Sequence, residues 1–359
     1  MIMCLVKKRA VSTAVLITFF LLVGASLFGL EVMDSLGRTV HFDKPPDRIV
    51  IAGRALLLVA DAVYMFPDAV KKVHGIEKIT QGKGSFISVI DPRSQEKQIL
   101  PVRAGTEEIL AATPHAVLMK SFMRSKLGKP LESLGVKVLY YELETPAQYF
   151  DDIRSIGTLL DNRERAEEII AYYRTRIGRV ESATASLPEA EKPTALLVYY
   201  SERGGTTSFN VPPSSWMQTI LTEKAGGIPV WKDEVTGSGW MKVGVEQIAA
   251  WDPDYIFLTS YFSSSTEAVE KVKADPVWKN IQAVRNGNLF AFPSDYYSWD
   301  QPDPRWLLGL LWMGTKLHPQ RLAEVDIISE VKEFYRKLYF LSSSEYWAAV
   351  EPALDGDLP

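Results

Sequence analysis

Residues 162–187 read NRERAEEIIAYYRTRIGRVESATASL, and the interpretation of this stretch decides how the rest of the chain divides. Ala166, Ile169, Ile170, Tyr173, Ile177, Val180, Ala183 and Leu187 recur at steps of three and four, the apolar face of an amphipathic helix. Asp161 stands before it as an N-cap and Pro188 follows as a stop. At 1.5 Å per residue the whole stretch would span about 39 Å, the width of a small domain. Two readings are open: a strut joining two lobes, or an ordinary helix packed inside one domain.

The flanks favour the strut, because they repeat. Glu107-Glu108-Ile109-Leu110-Ala111-Ala112-Thr113-Pro114-His115 leads into the strand AVLM, and Glu246-Gln247-Ile248-Ala249-Ala250-Trp251-Asp252-Pro253-Asp254 leads into YIFL. Both read E-x-I-x-A-x-x-P-x before a strand, a self-similarity at long spacing that implies a duplicated architecture. The first short helix is expected to be capped by Thr106, with Glu107 and Glu246 in equivalent first turns. A carboxylate there is favourable in itself, since free amides and the helix dipole attract it. A matched pair on a rigid frame could also dock a two-fold partner offering cations at the same spacing.

Strand-turn-helix units follow one another on both flanks. RIVI at 48–51 leads through Gly53 and Arg54 into an apolar helix ending before Pro67, and TALLVYY at 194–200 opens the second half. Residues 201–215 are expected to be a loop. The fold class is α/β, with a first lobe over 31–160, a linking helix over 161–188 and a second lobe with terminal helices over 189–359.

Composition sets the outer limits. The chain has 359 residues, 47% of them hydrophobic, which suits a two-domain globular protein. Lys7, Lys8 and Arg9 precede an apolar run, and Gly24, Ala25, Ser26 and Gly29 lie near its end, the pattern of a secretory leader over 1–30 that is cleaved on export. The competing reading is a retained membrane anchor, as in a surface adhesin or sensor. The single cysteine, Cys4, falls in the leader, so a disulfide framework, a thiol nucleophile and thiolate metal ligands are excluded from the mature chain. Loss of the three leader cations moves the formal charge from −4 to −7, which argues against nucleic acid as a partner.

In sequence the chain resembles the substrate-binding proteins of ABC importers for iron siderophores, haem and cobalamin. The likeness runs through D-x-x-G-R-x-V from Asp34, P-x-R-I-V from Pro46, both glutamate helices, the linking helix, and A-V-x-N-G-x-L-F from Ala283. It implies two Rossmann-like lobes bridged by one long helix with the ligand in the cleft, a periplasmic monomer, and docking of Glu107 and Glu246 onto arginines of an ABC permease dimer in the inner membrane. The cargo implied is an iron(III) chelate, with haem, cobalamin or an oxyanion as alternatives within the same fold. One departure bears on the cargo: where many members carry Pro-Ser or Pro-Thr and then a glutamate after the first strand, this chain has Gly53-Arg54-Ala55.

Loops beyond the carboxyl ends of α/β strands face the binding crevice. Here they carry Arg54, Lys83, Ser85, Arg124, Tyr200, Arg203, Trp240, Tyr261, Tyr296 and Trp299. Arg54 is either an anion seat beside free amides or the partner of Asp61 or a nearby surface carboxylate. Tyr200, Trp240, Tyr261, Tyr296, Tyr297 and Trp299 either stack on a flat chelate or pack the core and rim. Tyrosinate from Tyr200, Tyr261 or Tyr296 on ferric iron is a third option. His41, His74, His115 and His318 lack metal-ligand spacing, so no directly bound metal and no cofactor is expected. A hydrolase is disfavoured: there is no G-x-S-x-G elbow and no H-E-x-x-H, and in Gly82-Lys83-Gly84-Ser85 a glycine follows the lysine of what would be a phosphate loop.

Overall fold

Two sheets, each a run of short apolar strands, organise the chain; the computed structural model describes residues 29–359, so residues 1–28 of the expected leader lie outside the described residues. The hairpin β1 (Leu30–Met33) and β2 (Thr39–Phe42) turns at Gly37. The first sheet is wholly parallel, in the order β5 (Gln98–Leu100), β4 (Val73–Glu77), β3 (Ile49–Ile51), β6 (Ala116–Lys120), β7 (Val138–Tyr141). Its central strands β3 and β6 are buried on both faces, which is why they read as continuous apolar runs.

The second sheet has the order β11 (Met241–Val243), β9 (Thr206–Val211), β8 (Thr194–Arg203), β12 (Tyr255–Thr259), β13 (Leu289–Ala291). A two-residue strand, β10 (Ile228–Pro229), pairs with the start of β8, beside which β9 pairs with its end. The expected loop over 201–215 is therefore corrected. β8 runs on to Arg203, turns at Gly204-Gly205 and returns antiparallel as β9. Both glycines have positive φ (57° and 77°), the conformation that a two-residue hairpin requires.

The linking helix, Arg163–Thr184, has 22 residues and so spans about 33 Å, shorter than the whole motif allowed. Its cap is Asn162, whose side chain accepts from Arg165 N; Asp161 instead takes a positive φ of 57° and makes the turn from the preceding helix, Pro146–Leu159. The apolar stripe Ala166, Ile169, Ile170, Tyr173, Ile177 and Val180 is buried as its spacing required. The helix both bridges the lobes and packs along its length: Tyr173 bonds Tyr149 of the first lobe (3.1 Å) and the Pro304 carbonyl of the second (2.5 Å). Arg176 and Arg179 share Glu330 at 2.6 Å each.

The lobes are held together by a buried charge cluster. Arg305, fully buried at the start of helix Trp306–Leu317, reaches Asp61 of the first lobe (2.6 Å), Asp303 (2.8 Å) and Asp295 (2.6 Å), while its guanidinium lies 4.4 Å from the centre of the Phe86 ring. Desolvation opposes its charge, but the surrounding carboxylates outweigh that and raise its pKa. Burial pushes Asp61 well above the usual carboxylate range; Arg305 pulls against that shift and Asp303 adds to it. Trp299, an expected ligand contact, belongs to this core: it is fully buried and its indole N–H donates to Asp295 at 2.8 Å.

A second tie runs through the C-terminal tail. Asp355 accepts from Lys83 Nζ (2.8 Å), Ser264 Oγ (2.8 Å), Thr266 Oγ1 (2.7 Å) and Ser265 N (2.9 Å), and Lys83 N–H donates to the Tyr296 carbonyl at 2.8 Å. Gly82 must stay glycine, because a Cβ there would lie 2.2 Å from that same carbonyl oxygen. No helix of the described residues is long and apolar enough to cross a membrane.

Arg305→Met should cost about 3–5 kcal/mol in urea unfolding by stranding three buried carboxylates. Adding Asp61→Asn should recover part of that loss. Burial alone would raise the Asp355 pKa, yet bonds from Lys83, Thr266 and Ser264 bring it down to about 2. Because the folded value lies below the unfolded one, this stabilisation is complete above about pH 4 and is lost as pH falls through 2. Asp355→Asn should therefore lower stability by up to about 2 kcal/mol at pH 7, and the difference from wild type should vanish on acid titration.

Candidate ligand crevice and docking face

Numbered along the chain, the strands of both sheets stand in the same spatial order, third, second, first, fourth, fifth, if the second sheet's short β10 is set aside. In such sheets the crevice opens at the carboxyl ends where the order reverses. That point lies between β3 and β6 in the first lobe and between β8 and β12 in the second.

At the first reversal the chain leaves β3 through Gly53, whose positive φ of 96° and approach to Met123 exclude a side chain without adjustment. The buried Glu77 carboxylate accepts from Gly53 N at 2.8 Å and Arg103 N at 2.7 Å, fixing the loops after β3 and β5. Arg54 is exposed and among the described residues pairs with no carboxylate; Asp61, one alternative partner, is taken by Arg305. Arg124, after β6, lies 6.0 Å from the Tyr140 ring centre and makes no ion pair; its Nε is buried without a partner. Phe122 beside it is 53% exposed. The nearby acids are engaged: Ser121 donates to Glu142, and Lys120 to Glu144 at 2.8 Å.

At the second reversal a cavity of about 480 Å³ lies between the β8–β9 hairpin and the loop after β12, bounded in part by Tyr199, Tyr200, Arg203, Ser260 and Phe262. Arg203 is exposed and sits 5.6 Å from the ring centre of Phe262, itself 72% exposed. Tyr199, Trp240 and Tyr261 form an aromatic wall with ring centres 4.5–5.9 Å apart. Glu202 on the cavity rim is already bonded to Tyr200 (3.0 Å) and Lys271 (2.7 Å).

Trp240 and Tyr261 thus meet at Tyr199, which borders the cavity with Arg203, while Arg54 and Arg124 share the other reversal point. Ser85 is exposed on the loop after β4, where its carbonyl accepts from Ser88 Oγ. Tyr200 is turned to the opposite sheet face, against Phe209 at 5.8 Å. Tyr296 packs at a tilt against Phe86 across the seam (5.4 Å) and donates to the Ala349 carbonyl (2.9 Å). The tyrosinate option meets hydroxyls that are already engaged. Burial raises the pKa of Tyr200, Tyr261 and Tyr296, and their protons are committed to Glu202, Asp300 and Ala349. The four histidines stay apart, each with its own local partner.

Phe122, Tyr199 and Phe262 were missing from the sequence-based set. Phe122 and Phe262 were findable, because each falls within three residues of the end of a repeated strand. Tyr199 was not: β8 carries two adjacent tyrosines on opposite faces, and only the register says which one faces Trp240.

The glutamate repeat holds in three dimensions with a constant offset of 139 residues (107 to 246). Glu107 and Glu246 are both exposed, each the second residue of a helix, Thr106–Ala111 and Val245–Trp251. Both helices are capped by glycine, Gly105 and Gly244, so the expected Thr106 cap is corrected. Ile109 and Ile248 are fully buried, and Thr113 and Asp252 take matching positive φ values of 46° and 42° before proline. β6 and β12 keep the same offset from first to last residue. Since each helix returns tightly into its strand, both glutamates lie at the carboxyl edge of their sheets, the edge that carries the crevice loops.

Comparison with known proteins agrees with this architecture. The profile of the periplasmic binding protein family matches residues 67–296. The molybdate-binding protein MolA of Haemophilus influenzae is 31% identical over 121 residues, a stretch that spans only a third of either chain. The Fe(3+)-citrate-binding protein YfmC of Bacillus subtilis is 20% identical over 268 residues, 74% of this chain and 79% of that one. Among solved structures, a periplasmic solute binding protein from Veillonella parvula superposes with a TM-score of 0.70 at 24% identity, covering 89% of this chain and 96% of that chain. Two α/β lobes of matching strand order joined by one long helix, together with the family match across most of both, establish that this chain belongs to the periplasmic binding protein family, solute carriers for ABC transporters rather than enzymes.

Proposed function

We propose that this protein, exported by its leader to the periplasm, captures an anionic iron(III) chelate of siderophore or citrate type between its lobes and delivers it as a monomer to an ABC permease dimer. The observation that carries this reading is the charge imbalance at the reversal points. Among the described residues Arg54, Arg124 and Arg203 have no carboxylate partner, whereas Glu142, Glu144 and Glu202 are already bonded and Glu267 at the cavity edge is the exposed exception. Free guanidinium groups pair bidentately with carboxylate or catecholate oxygens. The wall of Tyr199, Trp240 and Tyr261, with the exposed Phe122 and Phe262, suits an organic shell around the metal.

A bare oxyanion is the second reading, favoured by the stretch of 31% identity to MolA. It fits the site less well. A cavity of about 480 Å³ beside the exposed Phe262 is larger and more apolar than a tetrahedral anion needs, and falls within the roughly 300–1,000 Å³ usual for small-molecule sites.

Calorimetric titration with ferric citrate, a ferric catecholate, haem, cyanocobalamin and sodium molybdate separates these readings. The ferric chelates should bind most tightly, and tighter molybdate binding would replace the chelate reading. Arg203→Ala and Arg54→Ala should each raise the Kd about tenfold or more, the worth of one charged hydrogen bond. For delivery, Glu107→Lys with Glu246→Lys should abolish uptake at unchanged ligand affinity; lost affinity would place these acids in the crevice instead.

A further inference from the structure

Extended by four residues toward the N-terminus, the duplicated segment carries a second matched charge. Arg103 stands four residues before Glu107, and Lys242 stands four residues before Glu246. Both cations are exposed. Among the described residues none of these four side chains enters an ion pair or a side-chain hydrogen bond with another side chain. Their backbones are anchored: Arg103 N–H donates to the buried Glu77, and Lys242 lies opposite Asn210 in the β11–β9 ladder.

Helix stability explains the acids but not the bases. A carboxylate in the first turn gains from the helix dipole, whereas a cation just ahead of the cap is placed against the positive end. Arg103 and Lys242 therefore stand where local electrostatics disfavours them, at the same place in both lobes and facing solvent.

We propose that the docking face consists of two acid–base dyads, Arg103 with Glu107 and Lys242 with Glu246, rather than two acids alone. The partner that fits is a pseudo-two-fold membrane protein offering on each half an anion beside the cation that meets the glutamate. This rests on the docking role proposed above for the glutamates, and it adds selectivity. A permease face bearing cations only would be repelled by Arg103 and Lys242, so the bases reject partners that the acids alone would accept.

The test uses the full chain and the host permease complex whose ATP hydrolysis the wild-type chain stimulates in proteoliposomes. Arg103→Glu with Lys242→Glu should lower the apparent affinity for that complex at least tenfold, leaving the melting temperature and the Kd for ferric citrate unchanged. Arg103→Gln with Lys242→Gln should weaken the salt dependence of stimulation, because fewer charge pairs then form. If base reversal leaves stimulation intact, or strengthens it, while Glu107→Lys with Glu246→Lys abolishes it, the dyad is wrong and the glutamate docking stands. If neither reversal matters, both fall.

Discussion

A single buried arginine governs the relation between the lobes. Arg305 gathers Asp61 from the first lobe and Asp295 and Asp303 from the second into a site without solvent, where a displaced charge would lose both its partner and water. Trp299, Tyr335 and Phe86 close around it, and Asp355 with Lys83 ties the same seam nearer the surface. The linking helix sets the span, and this cluster sets how the two sheets face each other across it.

With that geometry held, the crevice follows from topology. Both sheets reverse their strand order at the same step, so each opens at its own carboxyl edge and presents two loops. Among the described residues the loops carry guanidinium groups with no carboxylate of their own beside aromatic rings, while Glu142, Glu144 and Glu202 are bonded to serine, lysine and tyrosine.

Much of this could be read in advance, and the misreadings share a cause. The helix stripe from Ala166 to Val180 and the glutamate repeat were legible because periodicity and spacing are local properties. Residues 201–215 have the composition of a loop, yet Gly204-Gly205 is the turn of a hairpin, a difference that only strand pairing reveals. Trp299 was assigned to the ligand because it follows a strand; its burial depends on Arg305, Asp295 and Tyr335 meeting from distant parts of the chain. Glycine caps both glutamate helices because the entering chain, not a hydroxyl side chain, sets those ends.

The sequence alone determined the α/β class, the division into two similar halves, the long connecting helix and the equivalence of Glu107 with Glu246, since apolar period and repeat spacing survive without knowledge of contacts. Only the tertiary structure decided which charges remain free. Whether Arg54 faces a ligand or Asp61, and whether Tyr199 or Tyr200 lines the aromatic wall, depends on partners brought together by the meeting of two lobes, and no local pattern encodes that meeting.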